Sequence, residues 1–211
     1  MPAPTLQPPV TVQPWPGTLQ LSPQGILVLG LCLPQAGTGD GRAQARLAIR
    51  QALTQALAGL LQRPPTDIHI DNQRGQPAQI RVAASTTPAP HCSFAYSDGY
   101  AVAAVNLHGP IGVDLTPVLE IPDWAALARD YLGPPTLARL QALPASQRPL
   151  ALAQAWCRLE AEYKCRAEAL TEWAGERPDH ALHAQLMLPP LPQPLSQLVG
   201  HVSWENGSAR T

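Results

Sequence analysis

The sequence predicts an α+β fold in which the order strand, helix, strand, strand occurs twice. Residues 42–61 and 150–173 are the two long predicted helices. Short apolar runs rich in β-branched residues surround them and are typical of buried strands. The chain has 211 residues, of which 45% are hydrophobic, so it can bury a substantial core.

The first half of the chain predicts one helix among short strands. A proline-rich leader, residues 1–24, should run extended along the surface, with Trp15 anchoring it to a neighbouring surface. Residues 37–41 read as a loop before the helix at 42–61, which ends before Pro64. Its predicted apolar face contains Leu47, Leu53, Leu57 and Leu60. The predicted strands are 26–33, 68–70, 80–84, 94–95 and 100–107, the last two forming a hairpin across 97–99.

The second half of the chain predicts three helices between two strands. The strands are residues 111–115 and 198–204, and the helices are 124–131, 135–143 and 150–173, the last ending before Gly175. A boundary near residues 108–109 would divide the chain into an N-terminal lobe, residues 1–108, and a C-terminal lobe, residues 109–211.

The only lysine of the chain, Lys164, lies on the long predicted helix. The other basic residues among the 14 Lys and Arg residues are all arginines. Trp156, Glu160 and Lys164 are spaced four apart, so they share one face of a helix. A lysine ammonium is a compact charge that can meet a phosphate oxygen. The spacing also fits an ordinary exposed ion pair between Glu160 and Lys164, and this segment alone leaves both interpretations open.

A further acidic residue, Asp114, lies inside the apolar strand 111–115. Burying a carboxylate without a partner is costly, so Asp114 needs one. It could cap the following turn, or it could bind a hard cation together with Glu160. Mg2+ prefers oxygen ligands and is usually held by one or two carboxylates together with substrate phosphates.

The two acidic segments together resemble the 4′-phosphopantetheinyl transferase superfamily, in its monomeric two-lobed form. That family has a strand ending G-[IV]-D-[IL]-E, followed later by a helix with W-x-x-K-E-A-x-x-K. This chain has G-V-D-L-T at 112–116 and W-C-R-L-E-A-E-Y-K at 156–164. Two looser matches are G-Q-P at 75–77, in place of G-K-P, and A-Y-S-D-G at 95–99, in place of S-H-S-G. The resemblance covers about residues 40–175.

The resemblance implies a fold and an activity. The fold would be two pseudo-symmetric α/β lobes with the active site at their interface. The activity would be transfer of the 4′-phosphopantetheine arm of coenzyme A, the co-substrate, onto a serine of an apo acyl or peptidyl carrier protein. The catalytic residues would be Asp114, Glu160 and Lys164, with Mg2+ on Asp114 and Glu160.

The coenzyme-binding residues are also predicted in part from the resemblance. Arg42, Arg46 and Arg50 recur every four residues on the polar face of the first helix. Arginine forks suit phosphate binding, although a solvated arginine stripe has the same pattern; the resemblance favours Arg46 and Arg50. The predicted coenzyme-binding set is Arg46, Arg50, Gln76, Tyr96, Ser97 and Arg158.

Four positions depart from the family pattern. Thr116 replaces an acid, Leu159 and Gln76 replace lysines, and Tyr96 replaces a histidine. These changes leave a second interpretation open, a non-catalytic relative that binds coenzyme A or a carrier protein. A third is an unrelated α+β scaffold in which Glu160 and Lys164 form only a surface pair.

Composition argues against several other classes. A net charge of -1 without basic runs argues against a nucleic-acid-binding protein. The sequence has no run of 18 apolar residues, so it predicts no membrane span. The four cysteines form no C-x-x-C pair, so we expect reduced thiols in a cytoplasmic protein. His180 and His183 lack an evident third metal ligand, so we expect them in a surface or turn role.

Overall fold

The computed structural model describes residues 7–33, 41–71, 77–97, 99–176, 181–192 and 197–206. It confirms the α+β prediction. In chain order the helices and strands are β1 (Val10–Thr11), β2 (Gln13–Pro14), β3 (Ile26–Cys32), α1 (Gly41–Leu61), β4 (Ile68–Asp71), β5 (Gln79–Val82), β6 (His91–Ser97), β7 (Tyr100–Asn106), β8 (Ile111–Pro117), α2 (Trp124–Leu127), α3 (Gly133–Ala142), α4 (Arg148–Arg166), β9 (Leu182–Met187) and β10 (Leu198–Trp204).

A six-stranded sheet carries α1 on one face. Its spatial order is β2-β3-β7-β6-β5-β4, and all neighbours are antiparallel except β2 and β3. Successive side chains of a strand point to opposite faces. On β3, Leu27 and Leu29 therefore pack with the α1 residues, whereas Ile26 and Val28 join the core on the other face. The central strand β7 is buried along its whole length because it is covered on both faces.

A four-stranded sheet, ordered β1-β9-β10-β8, packs on the inner face of the first sheet. On β8, Val113 and Leu115 belong to the core between the sheets. The alternation then directs Asp114 and Thr116 to the opposite face, where α4 lies over β8 and β10. The protein is therefore layered as α1, six-stranded sheet, four-stranded sheet and α4.

The helices between β8 and α4 form a small cluster of their own. A π-helical turn (Ala128–Leu132) joins α2 directly to α3. The buried residues of this cluster are Ala128, Leu132, Leu140 and Leu152. Trp156 and Leu159 of α4 pack against it, and the Trp156 and Tyr131 rings form a T-shaped contact with a centroid distance of 5.7 Å.

Two details of the predicted helices are wrong. The predicted helix 150–173 ends at Arg166, because Ala167 adopts a left-handed conformation with φ 58° and caps it. The following segment turns back, and the Trp173 N–H donates to the Asp130 carbonyl at 2.7 Å. In α1, Leu47 is 59% exposed and does not belong to the apolar face, whose buried residues are Ala45, Ile49, Ala52, Leu53, Ala56, Leu57 and Ala58.

Three strands were not predicted. Strand β9 has the alternation Leu182, Ala184, Leu186 on its inner face, which is a period-of-two signal for a strand. Strands β1 and β2 lie within the proline-rich leader, and β1 pairs with β9 in parallel. Trp15 of the leader packs against the α1-side core as expected, and its N–H donates to the Gly30 carbonyl at 2.8 Å. The predicted loop at 37–41 lies outside the described residues except for Gly41.

Candidate functional site

The site is built where α4 crosses β8. Gly112 of β8 lies directly under the backbone of α4, because an added Cβ there would overlap the Ala161 carbonyl oxygen and the Cys165 nitrogen. The absence of a side chain at Gly112 thus permits a close approach of helix to strand. Two positions further along, Asp114 projects from the same face of β8 towards α4.

Asp114 and Lys164 form an ion pair between the strand and the helix. The Lys164 ammonium donates to Asp114 Oδ1 at 2.7 Å and to the Val113 carbonyl at 3.2 Å. The Asp114 side chain is 12% exposed and that of Lys164 is 33% exposed. Lys164 therefore makes a tertiary contact with a residue 50 positions away. An isolated surface pair between Lys164 and Glu160 would not include this contact.

Two neighbours complete the surroundings of Asp114. The Thr116 hydroxyl donates to Asp114 Oδ2 at 2.9 Å, so each carboxylate oxygen has a donor. The thiol of Cys157 on α4 donates to the Asp114 carbonyl at 3.2 Å. Burial, followed by the negative charge of Asp114, raises the pKa of the Cys157 thiol, which keeps it protonated.

Glu160 faces the same group of charges from α4. Burial raises the pKa of its carboxyl first, the negative charge of Asp114 raises it further, and the Lys164 ammonium opposes both effects. The two carboxylates are thus close enough to repel each other. A carboxyl with a raised pKa is also better matched to accepting a proton near neutral pH than an ordinary glutamate.

The donors at this site fit a hard divalent cation. Asp114 and Glu160 supply oxygen atoms and repel each other, and Lys164 contributes a single positive charge against their two negative charges. In the described part of the chain no three or more His, Cys, Asp or Glu side chains cluster as a metal site. The protein would therefore supply two carboxylates, and water and phosphate would complete the coordination, as is usual for Mg2+.

A second charged group lies on the outer face of the six-stranded sheet. Arg50 of α1 donates to the Tyr96 hydroxyl at 3.2 Å and stacks over the Phe94 ring at 4.8 Å. Burial raises the pKa of Tyr96, while the positive charges of Arg50 and Arg46 oppose that shift. The structure thus brings together three of the predicted coenzyme-binding residues, Arg46, Arg50 and Tyr96.

The other predicted coenzyme residues are placed differently. Ser97 ends β6 next to Tyr96 and pairs with Tyr100 across the hairpin. Arg158 of α4 lies near His201 of β10, whose pKa is lowered first by burial and then by the charges of His183 and Arg158. Gln76 and Asp98 lie outside the described residues.

The four-stranded sheet carries buried polar side chains that were not predicted from the sequence, namely His183, His201 and Ser203. His183 is 1% exposed on β9, so the predicted surface role is wrong; His180 lies outside the described residues. The Nδ1 atom of His183 shares a hydrogen bond of 2.9 Å with the buried Ser203 hydroxyl. His201 lies beside Asp114 in the β10–β8 register. The alternation of residues 182–187 could have indicated a strand, but not that a histidine would be buried on its helix-covered face.

The structure is an α+β fold in which Asp114, Glu160 and Lys164 lie together where α4 crosses β8. Residues 110–184, which include Asp114, Glu160 and Lys164, match the family model of the 4′-phosphopantetheinyl transferase superfamily. The match confirms the resemblance carried by the two acidic segments and supports a phosphopantetheinyl transferase type of function. No curated protein matches the chain. No helix in the described ranges is long and apolar enough to cross a membrane.

Proposed function

We propose that this protein transfers the 4′-phosphopantetheine arm of coenzyme A to a serine hydroxyl of an apo acyl or peptidyl carrier protein, in a Mg2+-dependent reaction. The observation that carries the proposal is the convergence of Asp114, Glu160 and Lys164 from β8 and α4. All three lie within residues 110–184, the segment that matches the superfamily.

The transfer exchanges one phosphorus–oxygen bond for another. The serine oxygen forms a bond to the phosphorus that carries the pantetheine arm, and the bond from that phosphorus to 3′,5′-ADP breaks. The serine proton passes to Glu160, or to a water that Glu160 orients. Glu160 is half-buried on α4 beside the charges of Asp114 and Lys164, which would place its carboxylate at the reacting groups.

Lys164 would act on the phosphates. An ammonium has three N–H donors, and Asp114 and Val113 accept two of them. The third can donate to a phosphate oxygen or to the leaving 3′,5′-ADP. Asp114 and Glu160 would hold Mg2+, which when bound neutralises charge on the pyrophosphate.

The arginine group on α1 would bind the phosphates at the other end of the coenzyme. Arg46 and Arg50 supply positive charge and Tyr96 a hydroxyl donor, with Gln76, Ser97 and Arg158 as further predicted contacts. The coenzyme would lie between an N-terminal lobe, residues 1–108, and a C-terminal lobe, residues 109–211. The two sheets are in direct contact where β8 packs against β6, and there the Val113 N–H donates to Ser93 Oγ at 3.1 Å.

The test is to incubate the protein with coenzyme A, Mg2+ and an apo carrier protein, and to follow the carrier by intact-protein mass spectrometry. We expect the carrier to gain the mass of one phosphopantetheine arm. Asp114→Asn and Glu160→Gln should each lower the rate at least about 100-fold, as for loss of an electrostatic catalytic group. Glu120→Gln, at an exposed position of the same chain, is the matched control and should transfer at the normal rate.

A negative result would favour the non-catalytic alternative. If several apo carrier proteins gain no mass at saturating Mg2+ while calorimetry detects coenzyme A binding, the protein is a binding relative of the family. If Asp114→Asn transfers at the normal rate, the assigned site is wrong.

A further inference from the structure

Thr116 replaces the second acid of the family pattern, yet it remains in contact with the site. It lies two residues after Asp114 on β8, so both side chains point towards α4. Its hydroxyl donates to Asp114 Oδ2 at 2.9 Å while Lys164 donates to Oδ1 at 2.7 Å. The acid of the family pattern would supply a metal ligand at this position, whereas Thr116 donates a hydrogen bond to the neighbouring carboxylate.

The two donors together restrict the Asp114 carboxylate. A carboxylate has about four lone-pair positions, and Lys164 and Thr116 occupy one on each oxygen. Rotation of the carboxylate about its Cβ–Cγ bond would break both hydrogen bonds. The carboxylate is therefore held in one orientation, and each oxygen keeps a lone pair for another ligand.

We propose that Thr116 is a positioning residue, whose hydroxyl holds the Asp114 carboxylate in the orientation in which it and Glu160 bind a divalent cation. This inference rests on the proposed function, because it concerns the cation that the transfer would use. Carboxylates that bind metals are themselves hydrogen-bonded, and loss of such an outer partner typically costs about 10–100-fold in metal affinity. The opposite expectation is that a donor competes with the cation for the same oxygen, so that its removal would tighten binding.

The experiment measures Mn2+ binding to the free protein by electron paramagnetic resonance, without coenzyme or carrier. Thr116→Val keeps the shape and the β-branch but removes the donor, so we expect Mn2+ affinity to fall about 10-fold or more. Thr116→Ser keeps the hydroxyl and should bind Mn2+ with the affinity of the natural chain, because the outer hydrogen bond is retained. Asp114→Asn should abolish measurable binding.

The matched control makes the same chemical change far from the site. Thr11 is exposed on β1, at the opposite edge of the four-stranded sheet from β8. Thr11→Val should leave Mn2+ affinity unchanged, and circular dichroism should report the same fold for all variants. If only Thr116→Val fails to fold, the test rests on Thr116→Ser. Its Mn2+ affinity must then equal that of the natural chain for the inference to stand.

The outcomes separate this inference from the proposed function. Equal or tighter Mn2+ binding by folded Thr116→Val overturns the positioning role, even if the natural protein transfers phosphopantetheine. Absence of Mn2+ binding to the natural protein overturns it as well. Weakened binding by Thr116→Val, restored in Thr116→Ser, supports it even if no carrier protein is modified.

Discussion

Replacing Gly112 with alanine would test whether the contact between α4 and β8 creates the site. The added Cβ would lie under 3.0 Å from two backbone atoms of α4, the Ala161 oxygen and the Cys165 nitrogen. Both are main-chain atoms, so a side-chain rotation cannot relieve the overlap. Ordinary van der Waals contact begins at 3.4 Å, so helix and strand must separate by about 1 Å or more.

The size of the effect follows from this separation. Overpacking of a filled interior typically costs about 1–3 kcal/mol of stability. A displacement of about 1 Å at reacting groups can lower a rate about 100-fold. Because Glu160 and Lys164 lie on α4 and Asp114 lies on β8, Gly112→Ala should reduce transfer by about that factor while the protein still folds.

The assay combines chemical denaturation with the mass-spectrometric transfer reaction. Gly59→Ala is the control, since a Cβ at Gly59 on α1 meets nothing within 4 Å. It should stabilise the protein by about 0.5–1 kcal/mol, because alanine is a better helix former than glycine, and leave transfer unchanged. Natural stability and natural transfer in Gly112→Ala would refute the argument that this close approach positions the site.

Two further predictions concern other parts of the molecule. Arg50→Ala should weaken coenzyme A binding by about 1–3 kcal/mol by calorimetry, because charged hydrogen bonds are lost; unchanged affinity would exclude Arg50 from the coenzyme site. Burial lowers the pKa of His201 from 6.5 to about 3, so His201 is neutral in the folded protein and charged when unfolded below pH 6.5. The contribution of His201 to stability should therefore fall as the pH drops below 6.5, by roughly 1 kcal/mol for each pH unit. Denaturation of His201→Leu should show a weaker acid dependence than the exposed control His69→Leu, and equal dependence in both would contradict this reasoning.

The elements that were predicted well are those with a clear local period. Strand β10 occupies the predicted residues 198–204, and α1 begins within one residue of the expected start. The end of α4 was missed because its left-handed cap, Ala167, is not a residue type that marks helix ends. His183 was misassigned because a lone histidine carries no local signal of burial, which here depends on α4 covering the sheet.

The sequence by itself determined which chemical groups are available and on which elements they lie. Asp114 within an apolar strand, and Glu160 and Lys164 one turn apart on a helix, could be identified from residue type and spacing. Only the tertiary structure decided their partners: Lys164 with Asp114, Thr116 with Asp114, and Arg50 with Tyr96. The physical reason is that local periodicity sets the face on which a side chain lies. The distance between two faces depends on how closely the backbones approach, as they do at Gly112.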